Sequence, residues 1–474
     1  MPATFTVRTV DRQRCIRRTD FRLICAVERL LMKILFVSLG CDKNLADTEM
    51  MLGMLRDRGY SFTDDEAEAE AVIVNTCCFI GDAKEESINT LLEMAELKDC
   101  GQLKALIAAG CLAQRYREEI QKEIPQVDAI VGTMAIEEIA AALEETLGGR
   151  PKNHYRDLNA APPAYRNRML TTGGHYAYLK IAEGCNKRCT YCIIPKVRGD
   201  YRSIPMEELE AQAEALAEQG VKELILVAQE TTLYGVDLYG EKRLPELLRR
   251  LGQISGIYWI RLLYCYPEEI TEELIETIAT EPKVCHYLDI PIQHASDAVL
   301  KRMGRRTTEE ELRGQIGRLR ERIPDICLRT TLISGFPGET QEDFEELYRF
   351  VNEMEFDRLG VFPYSQEEDT VAAEMPGQIE EAVKEARRDE LMELQQAVAF
   401  EKAEDMAGRV LTVMVEGKVA DEDVYVTRTY RDAPNVDGYL FLNTTADLMT
   451  GDFVKALVTD SNEYDLIGEV YHEE

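Results

Sequence analysis

Short apolar segments alternate with helical stretches along most of the chain, and this alternation constrains the fold more than any other feature. In the first third of the chain, four apolar segments are each followed by a helical stretch. These segments are residues 34–39, 71–74, 105–109 and 129–132. Repetition of strand and helix at this spacing predicts a parallel sheet with helices on both faces. We therefore expect an α/β domain over residues 32–150.

The same alternation resumes after a linker at residues 151–170, which contains prolines and shows no hydrophobic period. Six further strand segments are predicted at 176–182, 223–228, 259–263, 287–290, 327–334 and 357–362. Six units in succession predict a partial parallel (β/α) barrel, because eight units are usual for full closure. A long charged helix at 380–405 ends this second domain, to which we assign residues 171–405.

The two ends of the chain differ from this pattern. After residue 406, five short strands are predicted at 410–415, 424–429, 439–442, 453–458 and 466–471. They indicate a small β-barrel, which is a common form of accessory binding module. Residues 1–31 hold seven Arg and only three acidic residues, and Met32 directly precedes the first strand. We expect translation to begin at Met32 and the preceding segment to be a non-native or disordered extension.

Composition narrows the class of protein. The chain carries 55 Lys and Arg against 87 Asp and Glu, a net charge of −32. This acidity disfavours simple binding of nucleic acid and favours a basic protein partner. No apolar run approaches the roughly 18 residues of a membrane-spanning helix, so we expect no membrane association. The 13 cysteines occur without a secretory signal, and we therefore expect a cytoplasmic protein with reduced thiols.

The strongest chemical signal is a cysteine-rich loop directly after the first barrel strand. Cys185, Cys189 and Cys192 have three and two residues between them, so one loop can wrap a compact centre. Soft sulfur ligands suit an iron-sulfur cluster or zinc. A four-iron cluster on three cysteines leaves one iron open to a substrate or cofactor, as catalytic zinc sites keep one position open. A zinc knuckle and buried core cysteines are the alternatives, but neither explains three cysteines at a barrel mouth.

Three further cysteines are distant in sequence but are brought together by the predicted topology. Cys41, Cys77 and Cys111 each follow a strand of the first domain and are 36 and 34 residues apart. The carboxyl ends of parallel strands meet at one edge, where open α/β sheets place their ligands. We therefore predict a second three-cysteine cluster site there, with core packing as the alternative. Packing or incidental roles are expected for the other cysteines: Cys15, Cys25, Cys78, Cys100, Cys265, Cys285 and Cys327.

The loop from Cys185 to Cys192, CNKRCTYC, resembles the CxxxCxxC motif of the radical S-adenosylmethionine (SAM) superfamily. The resemblance implies a 4Fe-4S cluster on the three cysteines with SAM on the open iron. It also implies that reductive cleavage of SAM, with an electron from an external donor, yields a deoxyadenosyl radical that abstracts hydrogen from an unactivated carbon. Tyr191, before the last cysteine, would then lie beside the adenine.

Together with the other two domains, this loop makes the chain from Met32 onward resemble the methylthiotransferase family. The resemblance implies that Cys41, Cys77 and Cys111 hold a second 4Fe-4S cluster and that the terminal barrel is TRAM-like. One SAM would methylate sulfur at this second cluster, and the other would generate the radical. Segments 289–294 and 334–339 also resemble the family, and they fall at barrel strand ends where cofactor contacts are expected.

Members of this family modify either a tRNA base or a ribosomal protein, and charge favours the second target. Residues 408–474 hold 14 acidic and five basic residues, which suits a basic protein and disfavours tRNA, with a merely solvated acidic face as the alternative. Segments 39–44 and 198–203 resemble the RimO branch of the family, which modifies the β-carbon of an aspartate in small-subunit ribosomal protein number twelve. Two other hypotheses stay open, namely a tRNA-adenosine methylthiotransferase and an iron-sulfur scaffold without catalytic turnover.

One segment departs from the acidic trend. Between residues 184 and 202 there is a single acid, Asp200, and five bases: Lys187, Arg188, Lys196, Arg198 and Arg202. We expect these cations to balance the thiolates of the adjacent cluster loop, with attraction of the substrate carboxylate as the alternative.

Overall fold

The computed structural model describes residues 32–472, so the proposed extension at 1–31 lies outside the described residues. The first unit contains five strands: β1 (Lys33–Ser38), β2 (Ser61–Thr63), β3 (Ala71–Thr76), β4 (Ala105–Ala109) and β5 (Ala129–Val131). They form a parallel sheet in the order β2-β1-β3-β4-β5. Strand β2 is absent from the sequence prediction because its three half-buried residues contain no apolar run.

Helices cover both faces of this sheet, as predicted, and each face has its own hydrophobic core. The helices are α1 (Asp42–Asp57), α2 (Gly81–Asp99), α3 (Gly110–Tyr116), α4 (Glu118–Glu123) and α5 (Ile139–Leu147), with short 3-10 turns at Glu66–Glu68 and Ile136–Glu138. The linker packs closely against the first unit. Arg168 is buried and pairs with Glu49 of α1, while its second guanidinium nitrogen donates to the Tyr178 carbonyl at 2.7 Å.

The second unit is a six-stranded partial barrel, which confirms the prediction. Its strands are β6 (Tyr176–Lys180), β9 (Glu223–Val227), β10 (Trp259–Leu262), β11 (Val284–Asp289), β12 (Cys327–Ser334) and β13 (Arg358–Pro363). They are parallel and follow sequence order across the sheet, from β6 at one edge to β13 at the other. The predicted first strand stops at Lys180, because the chain then turns into a hairpin of β7 (Ala182–Glu183) and β8 (Arg202–Ser203).

Helices accompany the partial barrel: the first packs against the first unit, and most of the others lie on the outer side of the barrel. They are α6 (Ile194–Arg198), α7 (Met206–Glu218), α8 (Val236–Tyr239), α9 (Leu244–Gly252), α10 (Glu272–Thr280), α11 (Asp297–Met303), α12 (Glu309–Arg322), α13 (Gln341–Met354) and α14 (Glu381–Glu404), with 3-10 turns at Pro267–Glu269 and Ala372–Glu374. Helices α12 and α13 begin with capping boxes at Thr308 and Thr340, which satisfy the free backbone N–H groups of the first turn. None of the helices between residues 32 and 472 has both the length and the apolar character required to cross a membrane.

The third unit is a closed five-stranded barrel, as predicted. Its strands are β14 (Val410–Lys418), β15 (Val424–Thr429), β16 (Leu440–Asn443), β17 (Phe453–Asn462) and β18 (Asp465–Val470), in the closed order β14-β15-β16-β18-β17. Its core is apolar and includes Val413, Val415 and Leu440.

Buried ion pairs fasten this third unit to the partial barrel. Arg428 donates to Glu223, the first residue of β9, at 2.7 Å, and Arg261 donates to the same carboxylate at 2.7 Å. Asp437 accepts from Arg329 at 2.7 Å and is fully buried. Because Glu223 begins its strand, these contacts lie toward the amino ends of the barrel strands. The cysteine loop of this unit lies at the opposite, carboxyl ends of the strands.

Candidate active site between two cysteine groups

The loop that carries Cys185, Cys189 and Cys192 is fixed by the β7–β8 hairpin. Gly184 has a positive φ of 78°, and a Cβ there would lie 2.0 Å from the Asp200 carbonyl oxygen, so only glycine fits. The Cys185 N–H donates to the Gly199 carbonyl at 3.1 Å, and the Cys192 N–H donates to the Cys189 carbonyl at 3.0 Å. These bonds bring the three cysteines, which we call the barrel trio, to one turn beyond β7.

The surroundings of Cys185 and Cys192 disfavour thiolate charge unless a cation is bound nearby. Burial, with a smaller contribution from the neighbouring Cys189, raises the pKa of Cys185 to about 11, although the hydrogen bond from the Lys187 N–H acts to lower it. Burial, with Cys189 next, also raises the pKa of Cys192. Buried thiolates therefore require a cation, which an iron-sulfur cluster provides. Across residues 32–472, no three His, Cys, Asp or Glu side chains are arranged to hold a single metal ion.

Tyr191 packs against an apolar cluster at the same end of the barrel. Its ring contacts Phe336 edge-on, with centroids 6.4 Å apart. Phe336 belongs to the predicted segment 334–339, and Glu339 of that segment lies 3.5 Å from the buried His294. The structure thus brings Tyr191 together with both segments that carry the resemblance, 334–339 and 289–294.

Two buried polar side chains that sequence reasoning missed also lie here. Arg305 is 6% exposed and stacks over Tyr266, and its Nε and Nη1 have no hydrogen-bond partner within the described chain. Glu230 is fully buried, and burial raises its pKa to about 7. Its Oε2 accepts no hydrogen bond within the described chain but lies 3.9 Å from the Lys187 ammonium. Each of these two buried side chains therefore has at least one polar atom that forms no hydrogen bond within the described chain.

The other three predicted ligands meet at the edge of the first sheet. Cys41, Cys77 and Cys111 follow β1, β3 and β4, which are adjacent strands, and we call them the sheet trio. Gly40 has a φ of +87°, and a Cβ there would lie 2.8 Å from the Cys77 sulfur. Burial raises the pKa of Cys77 to about 12, and Cys111 and Cys41 both add to this shift. Cys77 and Cys111 are buried whereas Cys41 is exposed, so thiolates at the first two positions would need a nearby cation.

The remaining cysteines have other surroundings. Cys78 is fully buried in the hydrophobic core beside α2 and α3, as expected for packing. Cys265, Cys285 and Cys327 are buried in the partial barrel, and Cys100 is exposed. Cys15 and Cys25 lie outside the described residues.

Helix α6 connects the two trios. It begins two residues after Cys192, extends about 7 Å, and ends at the buried Arg198. Arg198 Nε donates to the Cys111 sulfur at 3.4 Å, while Nη1 donates to Asp47 at 2.8 Å and to Glu183 at 3.0 Å. Arg198, which follows the barrel trio in sequence, thus donates a hydrogen bond to Cys111 of the sheet trio.

This contact revises the expectation that the five cations of residues 184–202 balance the barrel trio. Lys187 pairs with Glu268 at 3.2 Å and with Glu269. Arg188 and Lys196 are exposed. Arg202 donates to two backbone carbonyls, at 2.9 and 3.1 Å. Arg198 is the cation of this group whose side chain donates to a cysteine sulfur, and that sulfur belongs to the sheet trio.

Comparison with protein families divides the chain in the same way as the structure. Residues 33–132 match a family described as "Uncharacterized protein family UPF0004", residues 179–351 match the Radical SAM superfamily, and residues 407–470 match the TRAM domain. In fold, the chain is similar to the radical SAM methyltransferase TsrM from Kitasatospora setae with cobalamin and a [4Fe-4S] cluster bound. That comparison gives a TM-score of 0.52 at 14% identity, and it covers 81% of this chain and 77% of TsrM.

Curated relatives match over nearly their whole length. Three are named ribosomal protein uS12 methylthiotransferase RimO. The protein from Lachnoclostridium phytofermentans is 62% identical over 92% of this chain and 99% of its own length. The proteins from Acetivibrio thermocellus and Clostridioides difficile are 52% and 48% identical, over 93% and 94% of this chain and 99% and 100% of their own lengths.

A partial barrel with a CxxxCxxC loop at its mouth, matched to the Radical SAM superfamily, defines a radical SAM enzyme, and this class uses a 4Fe-4S cluster and SAM. Within that class, the chain belongs to the RimO family of methylthiotransferases.

Proposed function

We propose that this protein attaches a methylthio group to the β-carbon of an aspartate in the small-subunit ribosomal protein uS12, using two SAM molecules and two 4Fe-4S clusters. The observation that carries the proposal is the junction of the two cysteine trios through α6 and Arg198. A methylthio transferase has to generate a carbon radical and deliver sulfur to it in one place. Two neighbouring sets of three cysteines, one on each domain, meet that requirement.

The barrel trio would hold the radical-generating cluster, and the sheet trio would hold the cluster that delivers sulfur. When bound, the two clusters supply an electron for SAM cleavage and a sulfur for methylation, respectively. Arg305 and Glu230 would bind the charged groups of SAM through the atoms that lack hydrogen-bond partners in the described chain. Tyr191 would lie against the adenine, beside the ring of Phe336.

Buried ion pairs would keep the two sites in a fixed relation. Lys180, at the end of β6, pairs with Glu183 at 2.8 Å and with Asp47 of α1. Arg198 bonds to the same two carboxylates. One network of two cations and two carboxylates therefore spans the first domain and the barrel. Replacing one of these four side chains by a neutral one would leave an uncompensated charge in the interior, which is strongly destabilising.

The surface of the terminal barrel supports a basic protein substrate. Glu416, Asp432 and Asp437 are already engaged by His175, Arg358 and Arg329. In the described part of this barrel, seven exposed acids still outnumber three exposed bases: Asp421, Glu422, Asp423, Asp447, Asp460, Glu463 and Glu469 against Arg409, Lys418 and Lys455. This surface would repel the phosphates of tRNA and attract a basic protein. A ribosomal protein substrate places the enzyme in the cytoplasm, where an external donor would supply the electron.

Incubation of the reconstituted enzyme with SAM, a reductant and either uS12 or bulk tRNA tests this proposal. Methylthio addition to uS12 supports it, whereas addition to tRNA alone would assign the enzyme to the tRNA-modifying branch. Failure to release deoxyadenosine with either substrate would leave only the scaffold hypothesis.

A further inference from the structure

Lys43 is a buried cation without a carboxylate partner. It is the second residue of α1, two positions after Cys41, and it is 6% exposed. Across residues 32–472, no carboxylate forms an ion pair with its ammonium, which instead lies 3.2 Å from the ring centroid of Tyr264. Other buried cations, such as Lys180 and Arg261, are paired with carboxylates. A buried ammonium on an aromatic face keeps its charge available to a ligand.

Tyr264 fixes this ammonium at the junction of the two domains. It follows β10 at the carboxyl end of the barrel strands and has a positive φ of 61°. Its N–H donates to Asp289 at 2.9 Å, and its hydroxyl donates to Asp42 at 3.2 Å. Both carboxylates accept hydrogen bonds from Tyr264, and neither forms an ion pair with Lys43. Burial raises the pKa of Asp289, and the charges of Arg329 and Lys43 act against that rise, so Asp289 is the nearest competitor of a bound carboxylate for Lys43. Lys43 thus lies between the sheet trio and the barrel mouth.

We propose that Lys43 binds the side-chain carboxylate of the substrate aspartate and selects aspartate over uncharged side chains. This inference rests on the proposed function. The β-carbon of aspartate is bonded directly to that carboxylate, so a cation that holds the carboxylate also positions the reacting carbon. Lys43 has the required location, because it is two residues from Cys41 of the sheet trio, from which sulfur is to be delivered.

The cations near the barrel trio are less suited to this role. Lys187 is paired with three carboxylates, Arg198 is bonded to two, and Arg188 and Lys196 are exposed. A charge-assisted hydrogen bond in a buried site is strong, and a site built for a charged group rejects an uncharged analogue because its own buried charge is left unpaired. Lys43 therefore supplies discrimination as well as binding.

A competition experiment with the full-length enzyme tests this role. Wild type, Lys43→Gln and the control Lys196→Gln, which neutralises an exposed lysine, are reconstituted with iron and sulfide. Each is offered an equal mixture of uS12 with its native target aspartate and uS12 with asparagine at that position. Mass spectrometry of the methylthiolated products gives the ratio of the two kcat/KM values directly.

We expect the aspartate preference to fall by about tenfold to a hundredfold in Lys43→Gln and to be unchanged in Lys196→Gln. Iron content and deoxyadenosine formation without uS12 should be retained in both. If Lys43→Gln does not assemble its clusters, Lys43→Met is the second neutral variant, and Lys43→Arg should keep the preference. An unchanged preference in an active neutral variant would overturn the role of Lys43 alone. Lack of transfer to uS12 by wild type would overturn the proposed function and this role with it.

Discussion

The Nε of Arg198 donates a hydrogen bond to the sulfur of Cys111 at 3.4 Å, although the two residues belong to different domains. Arg198 ends the short helix that follows Cys192, and its other two nitrogens bond to Asp47, Glu183 and Asn44. The contact therefore couples the loop of one cysteine trio to a member of the other.

Replacing Arg198 should change the electronic properties of the sheet-trio cluster. Hydrogen bonds to cluster sulfurs raise reduction potentials, so Arg198→Gln should lower the potential of this cluster. A redox titration followed by electron paramagnetic resonance measures the shift. Arg188→Gln, which removes an exposed arginine, is the control and should leave the potential unchanged. Arg198→Lys keeps the buried positive charge but removes the Nε donor, and it replaces Arg198→Gln if that variant is too unstable to bind its cluster. Equal potentials in wild type and a folded, cluster-bound variant would show that the contact does not tune the cluster.

The two trios should have separable roles. Cys185→Ala should abolish SAM cleavage, because the barrel-trio cluster loses a ligand. Cys41→Ala should retain cleavage but lose methylthio transfer, because the sulfur-delivering cluster is affected instead. Chromatography of deoxyadenosine and mass analysis of uS12 measure the two activities in the same reaction. Loss of deoxyadenosine to the same extent in both variants would contradict this division.

The junction of the terminal barrel and the partial barrel should depend on pH through Glu223. Burial acts to raise the pKa of Glu223, but Arg428 and Arg261 outweigh it and hold the pKa below the ordinary value of 4.5. A lowered native pKa gives stability that is present above pH 4.5 and is lost as the pH falls through the native pKa. Glu223→Gln should destabilise the protein by about 3 kcal/mol at pH 7, because two buried arginines lose their partner.

Thermal unfolding of wild type and Glu223→Gln between pH 7 and pH 3 measures this effect. The difference between their unfolding midpoints should be largest at pH 7 and should shrink below pH 4.5. Glu276→Gln is the control, because it removes an exposed ion pair with Arg322 and should change stability by at most about 0.5 kcal/mol. A pH-independent difference for Glu223→Gln would argue against the lowered pKa.

Acidic residues of the terminal barrel should contribute to the capture of uS12. Neutralising Asp421, Glu422 and Asp423 together should weaken binding of uS12 to the full-length enzyme several-fold, and more strongly at low salt. The matched control neutralises three exposed acids of α14: Glu385, Glu390 and Glu393. Equal weakening by both triple variants would indicate a general effect of net charge rather than a docking surface.

Hydrophobic periodicity and strand topology are sufficient to predict the parallel strands and the loops that follow them. Parallel strands place their carboxyl ends at one edge, so Cys41, Cys77 and Cys111 could be predicted to meet although they are far apart in sequence. The spacing within CNKRCTYC similarly indicated one compact loop. The structure places Cys41, Cys77 and Cys111 after adjacent strands and the barrel trio in one loop, and cluster binding by either trio stays a prediction.

Contacts between domains could not be predicted in this way. Composition counts Asp432 and Asp437 as surface acids, but both are buried against arginines of the partial barrel. Arg198 was assigned to the nearer cysteine loop, because the direction of α6 toward the first domain is set by tertiary packing. Lys43 and Arg305 have no motif that distinguishes them, and only their burial without an ionic partner in the described chain marks them as functional candidates.

The mass of intact uS12 after anaerobic reaction with the reconstituted enzyme, SAM and a reductant tests the central claim most directly. The claim predicts that uS12 gains one methylthio group at an aspartate and that the gain disappears with Cys41→Ala. Unmodified uS12 in a reaction that releases deoxyadenosine and adds methylthio groups to tRNA would contradict it.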